Sequence, residues 1–292
     1  MKKLWTVMVL VLLAACVLCS ALPVFGALED DLIGHWTLAG DAKSSVTGVG
    51  DFELQEGTRA SYAEAGEISG IQLSSDLNLG GIPRVSSFNQ KLGNSFTVSF
   101  WIKSSVKDAM AVILGNGEKV NGHFEFYLDS GILKFYACEI NANNPVQLNF
   151  TLENPTDITD GTLHHIAVSY DGTTMHYYVD GVLENSLQVS GTISASEAWP
   201  LYIGDYYGTL PFAGFLSDIR IYERVLSADE VTQVVAAAPR ADAPSTDVPP
   251  TDAPVTEPPV ATGDTFFSVL PAAALAAAAV LLLVCRKRSM GI

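Results

Sequence analysis

The side chains best suited to chemistry in this chain of 292 residues are aromatic rings and polar groups that stand together in predicted loops. Residues 205–212 combine an aspartate with aromatic residues, and residues 139–145 are rich in amides. Sugar sites use aromatic surfaces beside a few polar groups, and loops on a rigid scaffold often carry such sites. The candidate ligand-binding residues are Tyr206, Tyr207, Asn143, Asn144 and Trp199. Each aromatic residue fits packing at the rim of the fold equally well.

A pair of carboxyl groups could hydrolyse a glycosidic bond, because that reaction needs two of them about 5 to 9 Å apart. Glu125 and Asp129 share one face of a predicted strand, but residues four apart in a strand are separated by roughly 13 Å. The sequence contains no closer acid cluster on a strand, and no nucleophile triad, phosphate-binding loop or zinc spacing. We therefore expect that the protein is not an enzyme.

His164 and His165 form an adjacent pair that could suggest a metal site. Successive residues of a strand point to opposite faces of its sheet, so the two imidazoles cannot easily share one ion. We predict a structural role for both histidines.

Short strands separated by turns dominate residues 34–222. Residues 96–102 and 165–170 alternate polar and apolar side chains, and Asp171-Gly172 leads into a return strand over residues 174–179. Two later strands are predicted over residues 201–204 and 215–222, and a capping box at Ser227 to Glu230 starts a short helix. The pattern predicts an all-β fold, an antiparallel two-sheet jelly-roll sandwich. The predicted core aromatic residues are Trp36, Phe100, Trp101 and Tyr222.

The charge and the cysteines limit the partners and the compartment. A net charge of −16 makes nucleic acid and anionic lipid headgroups poor partners. Cys138 is the sole cysteine of the predicted folded region, so no disulfide can form within it. Exported animal domains usually contain disulfides, and a bacterial surface is therefore favoured.

The N-terminal residues 1–26 have the pattern of a secretory signal peptide. Lys2 and Lys3 precede an apolar run, and acidic residues follow a permissive cleavage site after Gly26. Residues 13–16 also resemble a bacterial lipobox, which would place a lipid on Cys16. An uncleaved N-terminal anchor is the third alternative.

The C-terminal part predicts attachment to a membrane. Residues 239–264 are rich in proline and threonine, which predicts an extended stalk. Residues 265–285 form an uncharged apolar segment long enough to span a bilayer, and the basic tail 286–292 places its N-terminal side outside the cell. We expect a single folded domain over residues 27–238, displayed on a bacterial envelope by one transmembrane helix. The charged tail argues against a GPI anchor, whereas transfer by a sortase remains an alternative to a retained helix.

Five segments resemble, in order, the motifs of one domain family: residues 32–42, 94–103, 161–172, 178–181 and 214–227. The second reads NSFTVSFWIK, the third GTLHHIAVSYDG and the fifth GFLSDIRIYERVLS. The chain resembles a LamG-like jelly-roll domain of the concanavalin A-like lectin/glucanase superfamily over nearly the whole predicted domain. The resemblance implies the two-sheet sandwich that the strand pattern also predicts.

The resemblance further implies a calcium ion at Asp218, because related sandwiches bind calcium at an aspartate before the last strand. Asp41 could contribute a further oxygen ligand. Leu163 stands where the family usually has tryptophan, residues 44–50 lack the usual polar loop, and Ser217 replaces an acid. These departures weaken the case for the metal, and a turn-capping or ion-paired Asp218 is the alternative.

Together these features favour a cell-surface binding or adhesion module that recognises a glycan or a glycosylated or matrix ligand. A protein-binding or structural surface domain without a sugar site is the first alternative, and a divergent glycoside hydrolase is the second. An aromatic groove on one sheet would favour the sugar hypothesis, and a flat apolar patch would favour the protein partner. Two carboxylates that converge in a cleft would favour the hydrolase.

Overall fold

The computed structural model describes residues 28–54, 59–79, 83–85, 88, 92–107, 110–116, 121–141, 148–151, 156–194 and 200–240. No helix in these ranges is long and apolar enough to cross a bilayer. The predicted signal peptide, transmembrane helix and basic tail lie outside the described residues, as does the predicted stalk beyond Arg240.

Strands make up most of the described chain, and one helix, α1 (Ala228–Ala236), follows the last of them. The strands are β1 (Leu32–Trp36), β2 (Ala60–Ala65), β3 (Ile68–Leu73), β4 (Arg84–Val85), β5 (Phe96–Lys103), β6 (Ala111–Asn116), β7 (Phe124–Asp129), β8 (Ile132–Ala137), β9 (Ile140–Asn141), β10 (Leu148–Thr151), β11 (Leu163–Tyr170), β12 (Thr174–Val179), β13 (Val182–Gln188), β14 (Ser190–Gly191), β15 (Leu201–Ile203) and β16 (Gly214–Tyr222).

The strands form two main antiparallel sheets. Sheet 1 has the order β13-β12-β11-β5-β16-β3-β2, and β1 pairs with β16. Sheet 2 has the order β10-β8-β7-β6-β15-β4, and a small ladder joins β14 to β9. Strands that are distant in sequence lie side by side, since β5 sits between β11 and β16. The prediction of an all-β, two-sheet antiparallel sandwich is confirmed.

The main hydrophobic core lies between the two sheets. Alternate residues of each strand point inward, so the period-two pattern of the sequence supplies one apolar face per strand. Phe100 from β5 and Phe126 from β7 meet edge to face with their ring centroids 5.1 Å apart. Both side chains are almost fully buried. Burial of a side chain of this size stabilises the fold by about 1.5–3 kcal/mol.

Helix α1 begins with the predicted capping box. The hydroxyl of Ser227 accepts a hydrogen bond from the backbone N–H of Glu230, and the Glu230 carboxylate accepts one from the Ser227 backbone N–H. The apolar face of the helix buries Val231 and Val234 against the outer face of sheet 1. The helix therefore covers part of the outer face of sheet 1.

Two of the four predicted core aromatic residues lie in this outer layer. Trp36 and Phe100 belong to the core between the sheets. Tyr222 packs beneath α1, and Trp101 packs against the segment that follows the helix. All four are buried, as predicted, but the outer position of Tyr222 and Trp101 was not expected, because a helix that covers the second face of a sheet hides it as well as a second sheet does.

The predicted elements agree with the structure within one or two residues. The strand over residues 174–179 has the same bounds in the structure, and β5, β11, β15 and β16 differ only at their ends. Asp180 and Gly181 form the second turn with left-handed φ values of 52° and 81°.

Candidate functional site

The register of sheet 2 aligns five residues in one row across its strands: Arg84, Tyr202, Gly115, Glu125 and Tyr136. Paired residues of an antiparallel sheet point to the same face, and the sequence neighbours of these residues fill the core. The row therefore lies on the outer face of sheet 2. Neighbouring strands are about 4.8 Å apart, so four steps span about 19 Å. We call this set the tyrosine row.

Gly115 opens a gap in the middle of the tyrosine row. A Cβ atom at this position would lie 3.0 Å from Cβ of Glu125 and 3.0 Å from Oη of Tyr202. The absence of a side chain therefore leaves room for the Tyr202 hydroxyl above β6, next to Glu125. Tyr202 is 1% exposed and Glu125 is 2% exposed, so these two residues form the floor of the row.

The two buried tyrosines of the row, Tyr202 and Tyr136, stay protonated. Burial raises the pKa of Tyr202 well above its usual value, and the Glu125 carboxylate acts in the same direction. Burial also raises the pKa of Tyr136, assisted by the thiol of Cys138 3.6 Å from its hydroxyl. A neutral tyrosine hydroxyl both donates and accepts hydrogen bonds. His123 adds a further polar group, since its Nε2 lies 3.5 Å from Oε2 of Glu125.

The connection from β15 to β16 holds Tyr206 and Tyr207 beside the tyrosine row. Asp205 accepts a hydrogen bond from the backbone N–H of Gly208 at 3.0 Å and pairs with the guanidinium of Arg59. Asp205 and Arg59 are buried, so this ion pair fixes the start of the loop. Tyr207 has φ 48°, in the left-handed region that few side chains adopt.

The rings of Tyr202, Tyr206 and Tyr207 form a continuous cluster. The ring of Tyr202 lies 6.1 Å from that of Tyr206 and 5.6 Å from that of Tyr207, and the last two are 5.1 Å apart. Tyr207 is 46% exposed, and Arg84 is exposed on the other side of Tyr202. The accessible part of the site is therefore an aromatic surface with a guanidinium beside it. Such a surface can stack on an apolar ring face and hydrogen-bond to hydroxyl or carboxylate groups.

The structure places the predicted ligand residues as follows. Tyr206 and Tyr207 lie together in a loop, as expected, and they contact a third tyrosine that was not predicted. Asn143, Asn144 and Trp199 lie outside the described residues. Sequence reasoning also missed Arg84, Glu125 as a floor residue, Tyr136 and Tyr202. The alternating pattern of each strand predicts which sheet face these residues occupy. It does not predict the register that aligns them.

Asp218 lies in a buried cluster with His35 and Arg220. Its Oδ1 accepts a hydrogen bond from Nε2 of His35 at 2.8 Å, and both carboxylate oxygens lie 3.1 Å from Nε of Arg220. Burial alone would raise the pKa of the Asp218 carboxyl, but these two partners outweigh it and lower the pKa. The groups around this carboxylate are proton donors, whereas calcium needs oxygen ligands.

The neighbours of Asp218 support the same conclusion. The Ser217 hydroxyl donates to the carbonyl oxygen of Ser69 at 2.6 Å, and the Thr37 carbonyl oxygen accepts from the Asp218 backbone N–H at 3.1 Å, so both oxygens are already engaged. Asp41 is exposed and accepts a hydrogen bond from the Lys43 backbone N–H at 3.1 Å. Within the described ranges, no group of three or more His, Cys, Asp or Glu side chains could hold a metal ion. The residues at Asp218 therefore do not fit a calcium ion, and they favour the alternative of an ion-paired aspartate.

The adjacent histidines point in different directions, as predicted. Nδ1 of His164 lies 2.8 Å from a carboxylate oxygen of Asp180, whereas His165 is fully buried against the Trp101 ring.

In the described part of sheet 2, Glu125 has no second carboxylate in its row. Asp129, on the same face of β7, forms an ion pair with Lys134 at 2.6 Å.

Known structures with the same architecture include toxin and enzyme domains. The binding domain of Paraclostridial mosquitocidal protein 1 matches with a TM-score of 0.56 and 16% identity, over 72% of this chain and 53% of that domain. Domain 4 of AbnA, a GH43 extracellular arabinanase from Geobacillus stearothermophilus solved with arabinotriose, matches with a TM-score of 0.50 and 19% identity, over 70% of this chain and 98% of that domain.

A botulinum neurotoxin type C structure matches with a TM-score of 0.55 and 16% identity, over 73% of this chain and 52% of the toxin chain. This chain therefore spans about half the length of the two toxin structures. At these identities the likeness shows the fold. No curated protein sequence matches the chain.

A family model adds evidence from the sequence itself. The Laminin_G_3 model, described as concanavalin A-like lectin/glucanases superfamily, matches residues 80–232, which is more than half of the chain. That range contains β5, the tyrosine row and β16. The chain belongs to the concanavalin A-like lectin/glucanases superfamily.

Proposed function

We propose that the protein is a binding module that recognises a glycan or a glycosylated ligand at the accessible end of the tyrosine row. The observation that carries this proposal is the cluster of Tyr202, Tyr206 and Tyr207 on the outer face of sheet 2, with Arg84 beside it. The buried ring of Tyr202 and the half-buried ring of Tyr206 hold the exposed ring of Tyr207 in one orientation, so little side-chain entropy is lost when a ligand binds.

Two of the similar structures support a ligand of this kind. The arabinanase domain was solved with arabinotriose, and botulinum neurotoxin type C enters cells through interaction with two ganglioside molecules. Each observation belongs to that protein, and a shared fold does not transfer a ligand. The tyrosine cluster is the feature of this chain that supports the same class of ligand here.

The proposed location is the cell surface of a bacterium. The signal-like residues 1–26, the apolar segment 265–285 and the basic residues that follow it support an exported domain with one membrane helix. The proposal does not include catalysis, because the tyrosine row has a single carboxylate, Glu125, among the described residues.

A glycan-array screen of the full-length protein in detergent tests the proposal. We expect reproducible binding to a restricted set of glycans, lost in a Tyr207→Asn variant. Asparagine removes the ring and tolerates the left-handed conformation of this residue. Absence of binding by a folded protein would contradict the glycan proposal.

A protein partner is the second candidate. Val182 and Leu183 at the start of β13 are 62% and 48% exposed, and adjacent exposed apolar residues are found at protein-binding surfaces. This alternative would be favoured if the protein captures a protein partner and shows no binding on the glycan array. The Val182→Ser/Leu183→Ser double variant should then abolish the capture.

A further inference from the structure

A cavity of about 460 Å³ lies at the open edge of sheet 1, away from the tyrosine row. Its lining residues are Ala39, Gly40, Tyr62, Ala63, Glu64, Ser69 and Gly70. A neighbouring cavity of about 330 Å³ shares Glu64 with it. Both volumes fall in the range of small-molecule sites.

Two side chains of β2 define the chemistry of the larger cavity. Tyr62 and Glu64 are two residues apart in one strand, so they point to the same side and their Cα atoms are about 7 Å apart. Tyr62 is 47% exposed, and Glu64 is exposed. Neither side chain forms a hydrogen bond or an ion pair with another described residue. An aromatic ring and a carboxylate are thus both open to a ligand.

Two glycine residues, Gly40 and Gly70, line the cavity. A Cβ atom on Gly70 would lie 2.4 Å from the carbonyl oxygen of Leu216 and 2.7 Å from Cβ of Ser217, so no other residue fits there without a backbone shift. Gly40 has φ 87°, a conformation that favours glycine. Gly70 therefore allows β3 to pack closely on β16 at the edge of the cavity.

The lining of the cavity includes one carboxylate, Glu64, and no basic residue. Lys103 lines the neighbouring cavity that shares Glu64. Asp41 lies close enough to Tyr62 to raise the pKa of its hydroxyl, although burial is the larger cause. The whole chain has a net charge of −16, which attracts cations at long range.

We propose that this cavity binds an aliphatic ammonium group, such as that of an amino sugar, between the Tyr62 ring and the Glu64 carboxylate. An ammonium group is attracted to the face of an aromatic ring and forms its strongest hydrogen bonds with a carboxylate. The site lies on a different sheet from the tyrosine row, so the two proposals can fail independently.

Binding of three probes to the full-length protein in detergent tests the proposal by NMR or calorimetry. We expect glucosamine and tetramethylammonium to bind and N-acetylglucosamine to bind much more weakly, because acetylation removes the charge. Equal binding of the two sugars would overturn the proposal, since it would indicate a site for neutral hydroxyls. Absence of binding by all three probes would also overturn it.

Variants assign the binding to this cavity. We expect Tyr62→Leu and Glu64→Gln each to weaken glucosamine binding roughly two- to fivefold, the range for a cation–π contact at an exposed site. Tyr62→Phe keeps the ring and should bind like the unaltered protein. Glu223→Gln is the matched control, because it removes an exposed carboxylate outside the cavity. Equal weakening by Glu223→Gln and Glu64→Gln would indicate attraction by net charge alone and would overturn the proposed site.

Discussion

The ring of Tyr207 lies 5.6 Å from the ring of Tyr202, so a side chain that is 46% exposed rests on one that is 1% exposed. This contact joins the loop after β15 to the floor of sheet 2. The exposed ring is therefore supported from below, and a ligand can stack on it without first ordering the loop.

Tyr207→Asn should weaken binding of any array-identified glycan about tenfold or more, with an unchanged thermal midpoint. A well-supported aromatic residue at the centre of an interface commonly contributes more than 1 kcal/mol. Binding is measured by calorimetry and the midpoint by circular dichroism. Leu77→Asn, which removes an exposed apolar side chain outside the tyrosine row, is the control and should leave glycan binding intact. Equal losses in the two variants would contradict the assignment of the site.

Asp205→Ala should destabilise the fold by about 3–5 kcal/mol, because it leaves the guanidinium of Arg59 buried without its anion. The free energy of unfolding is measured by urea denaturation. The exposed pair of Lys107 and Asp157 provides the comparison, and Asp157→Ala should have little effect. Similar small effects of both variants would mean that the Arg59 pair does not anchor the loop.

Acidification should destabilise the protein through His165. Burial lowers the pKa of His165 from 6.5 to about 4, and Arg220 adds to this shift, whereas Asp218 and Asp180 oppose it. The unfolded chain therefore binds a proton at a higher pH than the folded chain. The stabilisation is complete above pH 6.5 and is lost as the pH falls toward 4, by about 3 kcal/mol in total.

Urea denaturation across this pH range measures the effect. His165→Gln should flatten the pH dependence between pH 6.5 and 4. A slope that His165→Gln leaves unchanged would show that another group titrates. Asp218 acts at lower pH, because its pKa is lowered below 3.8 and its stabilisation is lost only as the pH falls further.

Calcium should leave the thermal midpoint unchanged, because a ring N–H of His35 and the guanidinium of Arg220 already engage the Asp218 carboxylate. Melting curves are compared with added calcium and with a chelator. Suppose that calcium raises the thermal midpoint of the unaltered protein but not that of Asp218→Asn. That result would establish the metal site that the family resemblance implies. Asp218→Asn itself should destabilise the protein in both conditions, because it weakens a buried charge pair.

Local patterns were sufficient to predict most of the elements. Ser227 and Glu230 predicted the start of α1, since a capping box satisfies backbone donors that only a helix end exposes. The Asp171-Gly172 turn and the strand after it were predicted for a similar reason, because a tight turn needs residues that adopt its backbone angles. Tyr206 and Tyr207 were placed in a loop by their glycine and proline neighbours.

The arrangement of side chains from distant strands could not be predicted in the same way. Tyr202 pairs with Arg84 on one side and with Gly115 on the other, and these residues are far apart in the chain. A strand pattern of period two defines which face a residue occupies but not which strand lies beside it. His35 was likewise not linked to Asp218, 183 residues away.

The sequence alone determined the class of the fold, the position of its strands and helix and the family, because these depend on periodicity, turn chemistry and motifs that are local along the chain. Only the tertiary structure decided which side chains meet. It aligned the tyrosine row, set Arg220 and His35 against Asp218, and left the cavity beside Tyr62 open. These contacts depend on the order and register of strands, which are set by the packing of both sheets together.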